Sequence, residues 1–158
     1  MRLPSRRAPV PGPGRRLGVD VGSVRVGVAL SDPAAVLASP LATLARDRRG
    51  STDVDALAAL VTEHEVVEVV VGLPRTLAGR HGRAAREAET YAAALAGRVV
   101  VPIQLVDERL TTVRATRVLA ERGVRGKRQR AVVDQAAAVE ILQTWLESRR
   151  WSDREADG

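Results

Sequence analysis

The chain has 158 residues, of which 25 are basic, 19 are acidic and none is cysteine. This length suits one domain with a substantial core, and the lack of cysteine excludes disulfides, zinc–thiolate sites and cysteine nucleophiles. No apolar run approaches the ~20 residues of a membrane span, and the N-terminus lacks the apolar core of a signal peptide, so we expect a cytoplasmic protein.

The formal net charge of +6 comes almost wholly from arginine, since Lys127 is the only lysine. Guanidinium groups grip phosphate in bidentate fashion, which favours a phosphate-bearing partner. A biased genomic base composition, which would exchange Lys for Arg without functional meaning, is the alternative. Aromatic residues are only 2% of the chain, which argues against platforms for stacking single-stranded bases.

The two ends of the chain differ in composition from the middle. Residues 1–15 are rich in Pro, Gly and Arg, a composition that buries too little apolar surface to order itself, so we expect a disordered basic arm. We expect one domain over residues 16–150 and a polar tail over residues 151–158.

The stretch from Arg16 to Asp32 predicts a β-hairpin with an acid, Asp20, inside it. With Gly22-Ser23 as a two-residue turn, one face of the hairpin is aliphatic. In this register Val21 faces Val24, Val19 faces Val26, and Leu17 faces Val28. On the other face Gly18, Asp20 and Gly22 lie opposite Gly27 and Ala29. Burying an unpartnered carboxylate is costly, so Asp20 predicts a bound cation, a donor or a ligand; pairing with Arg25 across the turn is the alternative.

Helix and strand alternate after a third, irregular strand over residues 36–44, which Pro40 assigns to a sheet edge. The further predicted elements are a helix with Thr52 as candidate cap, a strand from Val66 to Val71, a helix from Arg83 to Gly97, a strand from Val99 to Val106, a helix from Thr111 to Arg122, a Gly/Arg loop from Gly123 to Arg130 and a closing helix from Ala131 to Arg149. This order predicts an α/β fold, in which an antiparallel three-strand meander is followed by parallel β-α units with helices on the faces of a mixed sheet.

Acidic residues fall at three places where an α/β sheet keeps its ligand sites. They are Asp20, the pair Asp107-Glu108 at the carboxyl end of the last strand, and Asp134 in the first turn of the closing helix. The positive end of the helix dipole is an alternative reason for Asp134. Converging carboxylates favour a hard divalent cation, Mg²⁺ or Mn²⁺, and two such ions would support hydrolysis of a phosphodiester without a protein nucleophile.

Two basic stretches are candidates for gripping phosphate. The loop Arg122–Arg130 carries five positive charges immediately before Asp134, and the stretch Pro74–Arg83 is interrupted by glycine as a mobile flap would be. A solvated surface is the alternative for each. The candidate nucleic-acid-binding residues are Arg25, Arg75, Arg80, Arg83, Arg109, Arg125, Lys127, Arg128 and Arg130.

Four motifs, in this order, resemble those of the RuvX/YqgF family in the ribonuclease H-like superfamily, a family associated with Holliday junction resolution and pre-16S rRNA processing. They are Leu17–Ala29, Val71–Pro74, Val106–Thr112 and Val133–Gln143, and the resemblance covers about Arg16 to Leu146. It implies a ribonuclease H-like five-stranded mixed sheet and assigns the metal-binding, catalytic acids to Asp20, Glu108 and Asp134, choosing Glu108 over Asp107. One departure from ribonuclease H-like enzymes in general is that the strand ending at Gly72 carries no acid.

The resemblance implies a metal-dependent endonuclease acting on precursor rRNA, branched DNA or both. A resolvase that cuts two strands symmetrically would act as a homodimer, and an rRNA-processing enzyme would meet ribosomal precursor particles. Two other classes remain open. One is a non-catalytic RNA-binding assembly factor whose acids bind a structural ion or pair with arginines. The other is an ATP-phosphate-binding domain of the actin and sugar-kinase type, against which the short chain counts.

Overall fold

The computed structural model describes residues 9–74, 82–108 and 126–157. The described strands are β1 (Arg16–Val21), β2 (Arg25–Ser31), β3 (Ala38–Ala45), β4 (Glu68–Leu73) and β5 (Ile103–Asp107), and the helices are α1 (Thr52–Glu63), α2 (Arg83–Ala96) and α3 (Lys127–Asp157). They build one five-stranded sheet in the order β3-β2-β1-β4-β5. The first three strands pair antiparallel, while β1, β4 and β5 pair parallel, so the predicted meander and parallel units are confirmed.

The β1–β2 hairpin has a different register from the predicted one. Asp20 pairs with Gly27 and Val21 with Val26, and Gly22 N–H donates to the Arg25 carbonyl at 2.9 Å. The two-residue turn is therefore Ser23-Val24, not Gly22-Ser23. Because the shift is two residues, each side chain keeps its predicted face, and Asp20 lies opposite Gly27, where the predicted register places Arg25.

Helices cover both faces of the sheet, as predicted. On one face the apolar side chains of α1 and α2, among them Leu57 and Leu95, pack against alternate strand residues such as Val19 and Val71. On the other face α3 packs Ala138, Ile141 and Leu142 against Ala29, Val70 and Val106. Since successive strand residues point to opposite faces, Asp20 shares the α3 face.

Several boundaries differ from the predicted ones. Ser51, not Thr52, is the N-cap residue of α1, and β4 continues through Gly72, which the sequence suggested as its end. The helix α3 already begins at Lys127, inside the predicted loop, and runs through the predicted polar tail to Asp157. The predicted helix from Thr111 to Arg122 lies outside the described residues.

Residues 9–15, which we expected to belong to a disordered arm, lie against the sheet. Val67 N–H donates to the Arg15 carbonyl at 2.9 Å, and Gly14 N–H donates to the Pro33 carbonyl at 2.7 Å. The fully buried Arg16 side chain donates to the carbonyls of Gly12 and Gly14 at 3.0 and 2.9 Å. The rest of the predicted arm, residues 1–8, lies outside the described residues.

Among the described residues, none of the helices is both long and apolar enough to cross a membrane.

Candidate active site

Asp20 lies on the α3 face between two glycine positions. Its side chain is 2% exposed, and its Cα partner on β2 is Gly27. On the other side, Val19 pairs with Val71 of β4, so the next parallel step places Asp20 beside Gly72. Neither neighbour has a side chain, which leaves the space above the carboxylate to groups that arrive from α3 and from the end of β5.

Asp134 lies on the part of α3 that packs against Gly27, next to Asp20. A Cβ atom added at Gly27 would collide with the backbone carbonyl of Asp134, so the glycine is what permits this close contact between helix and strand. Two further hydrogen bonds hold this part of α3 to β3. Thr43 Oγ1 donates to the Ala131 carbonyl at 2.9 Å, and Gln135 Nε2 donates to Thr43 Oγ1 at 3.0 Å.

The carboxylate of Asp134 is paired with Arg25. Arg25 Nε donates to Asp134 Oδ2 at 2.6 Å, and the two side chains are 28% and 13% exposed. Arg25, a candidate nucleic-acid-binding residue and the alternative partner for Asp20, thus contacts another of the three candidate acids. Because α3 begins at Lys127, Asp134 lies about two turns inside the helix, and the predicted first-turn position is wrong. The field at the helix N-terminus falls off within the first turn and is therefore not the reason for this acid.

Glu108 follows directly after β5 and is 6% exposed. Its Oε1 lies 3.0 Å from the place that a Cβ of Gly72 would occupy, so the carboxylate stands over that glycine. Asp107 is the last residue of β5 and comes after Val106, which belongs to the α3-side cluster. By strand alternation Asp107 points to the opposite face.

The three candidate acids therefore form a row across the carboxyl ends of the central strands, with Asp134 over Gly27, Asp20 next to it and Glu108 over Gly72. All their donor atoms are carboxylate oxygens, the ligand type that Mg²⁺ and Mn²⁺ prefer. Within residues 9–74, 82–108 and 126–157, no three His, Asp or Glu side chains are close enough together to hold a metal ion as they stand. Of the three acids, Asp134 is the one whose arginine partner the geometry identifies.

The basic candidates are less completely described than the acids. Arg83 is 89% exposed in the first turn of α2, and Arg130 is exposed on α3. Lys127 and Arg128 belong to the first turn of α3. Arg75, Arg80, Arg109 and Arg125 lie outside the described residues.

Gly27→Ala should displace Asp134 from Asp20. The new methyl group meets helix backbone, which has no rotamer by which to move aside, so we expect a loss of about 3 kcal/mol in unfolding free energy, the upper end for overpacking. A displacement near 1 Å also lowers phosphodiester cleavage about a hundredfold. Urea unfolding and single-turnover cleavage measure the two effects.

Gly82→Ala is the matched control for this change, because a Cβ at Gly82 meets no atom within 4 Å. We expect it to stay within about 0.5 kcal/mol of the parent protein and to cleave normally. Equal behaviour of the two variants would show that α3 does not rest on Gly27.

The sequence reasoning missed the groups that hold α3 in place. The residues Gln135–Ala138 predict a helix that lies close to the sheet, but nothing in the pattern identifies Gly27 and Thr43 as its contacts. Gly72 was seen as the end of a strand, although a glycine following a run of valines also signals a close approach by another group.

Known proteins resemble this chain along most of its length. The sequence profile of the RuvX family, described as Holliday junction resolvase, matches residues 14–148. A protein of Mycolicibacterium paratuberculosis (strain ATCC BAA-968 / K-10), named "Putative pre-16S rRNA nuclease", is 63% identical over 147 residues, which are 92% of this chain and 87% of that protein. A protein of Frankia casuarinae with the same name is 62% identical over 138 residues, covering 87% of this chain and 68% of that protein.

Solved structures share the fold at low sequence identity. Thermus thermophilus RuvC in complex with a Holliday junction substrate has a TM-score of 0.50 at 14% identity and covers 87% of this chain and 96% of its own. The yeast mitochondrial Holliday junction resolvase Ydc2 has a TM-score of 0.51 at 14% identity, with coverages of 88% and 80%. These likenesses establish the ribonuclease H-like fold. The profile match and the identities above 60% show that the chain belongs to the RuvX family and is a nuclease, a hydrolase of phosphodiester bonds.

Proposed function

We propose that this protein is a metal-dependent endonuclease of structured nucleic acid, in which Asp20, Glu108 and Asp134 are the catalytic acids. The observation that carries the proposal is the position of Asp20, which is buried between Gly27 and Gly72 while the two other acids stand over those same glycines. Because both positions beside Asp20 lack side chains, the three carboxylates can converge on one ligand at this place.

The residues of the site fit Mg²⁺ or Mn²⁺ by their chemistry, since each offers hard carboxylate oxygens. Once bound, the ion supplies the Lewis acidity that phosphodiester hydrolysis needs. Asp134 would have to exchange its hydrogen bond from Arg25 for the ion, because one carboxylate oxygen now accepts from Nε at 2.6 Å. Arg25 compensates the charge of Asp134 until then, and is afterwards within reach of a substrate phosphate.

Substrate grip is assigned to the arginines around this edge of the sheet. Arg25 and Arg83 belong to the described part of the chain, and the stretch Arg122–Arg130, whose last four residues begin α3, supplies further positive charge. Such groups bind the phosphate backbone without reading base sequence. The proposal therefore includes recognition of nucleic-acid shape rather than of sequence.

The names of the relatives suggest precursor 16S rRNA as substrate, and the family description suggests four-way DNA junctions. We propose that either backbone can enter the site, that the enzyme works in the cytoplasm, that it meets ribosomal precursor particles, and that junction cleavage would need a homodimer. The decisive experiment compares cleavage of labelled four-way junctions and precursor rRNA with Mg²⁺ or Mn²⁺, with Asp20→Asn as the inactive control. Absence of cleavage on both substrates would refute the proposal.

A non-catalytic RNA-binding assembly factor is the second candidate function, and one observation favours it. Asp134 is paired with an arginine, as expected if the acids hold the fold together rather than an ion. The two functions differ in their response to Mn²⁺: a nuclease gains turnover through these acids, whereas an assembly factor gains no turnover, even if a structural ion bound by its acids raises its thermal stability.

A further inference from the structure

A cavity of about 470 Å³ lies outside the row of acids, between the segment that follows β3, the start of α1 and the helix α2. Four arginines line it. They are Arg46, Arg48, Arg83 and Arg86. Arg83 ends the basic stretch Pro74–Arg83, and Arg86 follows it by about one turn of α2. Arg46 and Arg48 lie two residues apart in the segment after β3, which carried no prediction.

Glu87 is the carboxylate that three of these arginines share. Arg46 and Arg48 approach it at 3.8 and 3.4 Å, and Arg83 approaches it at 3.7 Å. One partly exposed carboxylate cannot saturate three guanidinium groups, each of which has five N–H donors. Arg86 lines the same cavity and is exposed. Donors therefore remain for an anion that enters from solvent.

The acids on the floor of the cavity are already engaged. Asp53 is buried and accepts a hydrogen bond from the Tyr91 hydroxyl at 3.0 Å. Burial and the neighbouring Asp53 charge raise the pKa of Tyr91, so the phenol stays a donor. Asp47 accepts from the amide and hydroxyl of Thr52 at 3.1 and 2.8 Å, and these bonds lower its pKa. Asp53 also lies 3.9 Å from Arg46 Nε, whereas the carboxylate that pairs with Arg48 and Arg83 is Glu87.

The cavity is tied directly to the strand that carries Asp20. Arg46 Nη1 donates to the Gly22 carbonyl at 2.7 Å, and Arg48 Nη2 donates to the Ser23 carbonyl at 2.8 Å. These carbonyls belong to the residues that follow β1, two and three positions after Asp20. At ~3.3 Å per extended residue, the carbonyls that accept from these arginines lie within about 10 Å of Asp20 along the backbone.

We propose that this arginine-lined cavity is a second binding site for a backbone phosphate of the nucleic acid, on the face of the sheet opposite to α3. The phosphodiester takes over from Glu87 as partner of Arg48 and Arg83, and Arg86 adds a further donor. The nucleic-acid strand that binds at the acids would thereby contact the protein a second time, at these arginines, on the far side of the Gly22–Val24 turn. This inference rests on the proposed nuclease function, because it assumes that nucleic acid reaches this edge.

The test is the salt dependence of binding to a labelled four-way junction in EDTA, where no cleavage occurs. In the double variant Arg48→Ala/Arg86→Ala the slope of log K against log salt should fall by roughly 0.7 to 0.9, which is the change expected for the loss of one phosphate contact. The matched control is Arg150→Ala/Arg154→Ala, which removes the same charge from the far end of α3. It should keep the parental slope. Equal slopes in the two double variants overturn the inference.

Glu87→Gln should change the affinity for the junction in the opposite direction. It frees the three arginines and should tighten junction binding several-fold, while Glu63→Gln, at an exposed glutamate of α1, should not. Failure of Glu87→Gln to tighten binding more than Glu63→Gln does would also count against the site. If the parent protein neither binds nor cleaves nucleic acid, the proposed function itself falls and takes this inference with it.

Inorganic phosphate has the same charge and acceptor atoms as a backbone phosphate. A competition experiment therefore tests which of the two anions the cavity binds. At constant ionic strength, inorganic phosphate in the millimolar range should displace little of the junction, because a single anion lacks the other contacts of the strand. Strong displacement by phosphate, lost in the Arg48→Ala/Arg86→Ala variant, would assign the cavity to a free anion and overturn the assignment to the backbone.

Discussion

Asp20→Asn is expected to lower metal-dependent cleavage on the order of a thousandfold while junction affinity in EDTA stays within about twofold of the parent protein. The amide keeps the shape of the side chain but removes the charge that would hold the ion, and loss of several kcal/mol of transition-state stabilisation corresponds to this factor. Binding is carried by arginines, which the substitution leaves intact. Single-turnover cleavage and fluorescence anisotropy measure the two quantities.

Two controls accompany that measurement. Asp55→Asn removes a carboxylate that is 53% exposed and paired with Arg98, far from the acids, and should leave cleavage unchanged. Glu108→Gln and Asp107→Asn separate the neighbouring acids at the end of β5, since only the former should match the loss seen with Asp20→Asn. If Asp20→Asn cleaves at half the parental rate or faster, the acids are not catalytic and the RNA-binding factor becomes the better description.

The sequence predicted the faces of the β1–β2 hairpin correctly but not its register. A slip of two residues preserves the alternation of apolar and small residues, so the pattern cannot distinguish a turn at Gly22-Ser23 from one at Ser23-Val24. The actual turn is selected by contacts from outside the hairpin, for Arg46 and Arg48 donate to the Gly22 and Ser23 carbonyls. Such long-range donors leave no local signal.

The first residue of α3 is a second feature that local sequence pattern does not predict correctly. A segment dense in Arg, Lys and Gly predicts a loop, yet Arg, Lys and Gln are also good helix formers. Gly126 has a φ of +88°, a conformation that favours glycine, and the helix begins at the next residue. The earlier start moved Asp134 into the body of the helix, where its position depends on contact with Gly27 rather than on the helix dipole.

Residues 9–15 are ordered, contrary to the prediction, because their backbone carbonyls accept hydrogen bonds from the buried guanidinium group of Arg16. Pro- and Gly-rich residues have few apolar contacts to offer, which predicted disorder. Their carbonyls are nevertheless what Arg16 needs, since burial and the nearby Arg149 lower its pKa, while Glu68 acts in the opposite direction. Composition cannot reveal that one buried guanidinium requires three backbone acceptors from this segment, which are the carbonyls of Val10, Gly12 and Gly14.

Glu68→Gln should therefore destabilise the protein strongly without affecting the chemistry. Glu68 Oε1 accepts from Arg16 Nε at 3.2 Å, and both side chains are fully buried. Its Oε2 accepts from Val10 N–H and from Gln104 Nε2 at 3.1 and 3.0 Å. Removing one partner of a buried pair leaves an uncompensated charge and costs about 3 to 5 kcal/mol. Urea unfolding should show a midpoint lower by more than 1 M, at ~1 to 3 kcal/mol per M.

Glu63→Gln is the control for that loss, since its side chain is exposed and its effect should stay within about 0.5 kcal/mol. At low temperature, where Glu68→Gln is still folded, cleavage per folded molecule should match the parent, because Arg16 and Glu68 lie at the opposite end of β1 from Asp20. Replacing both partners by leucine should recover only part of the stability, since the carbonyls of Val10, Gly12 and Gly14 lose their donor. A loss below 1 kcal/mol in Glu68→Gln would mean that water reaches this pair and that residues 9–15 do not cover it.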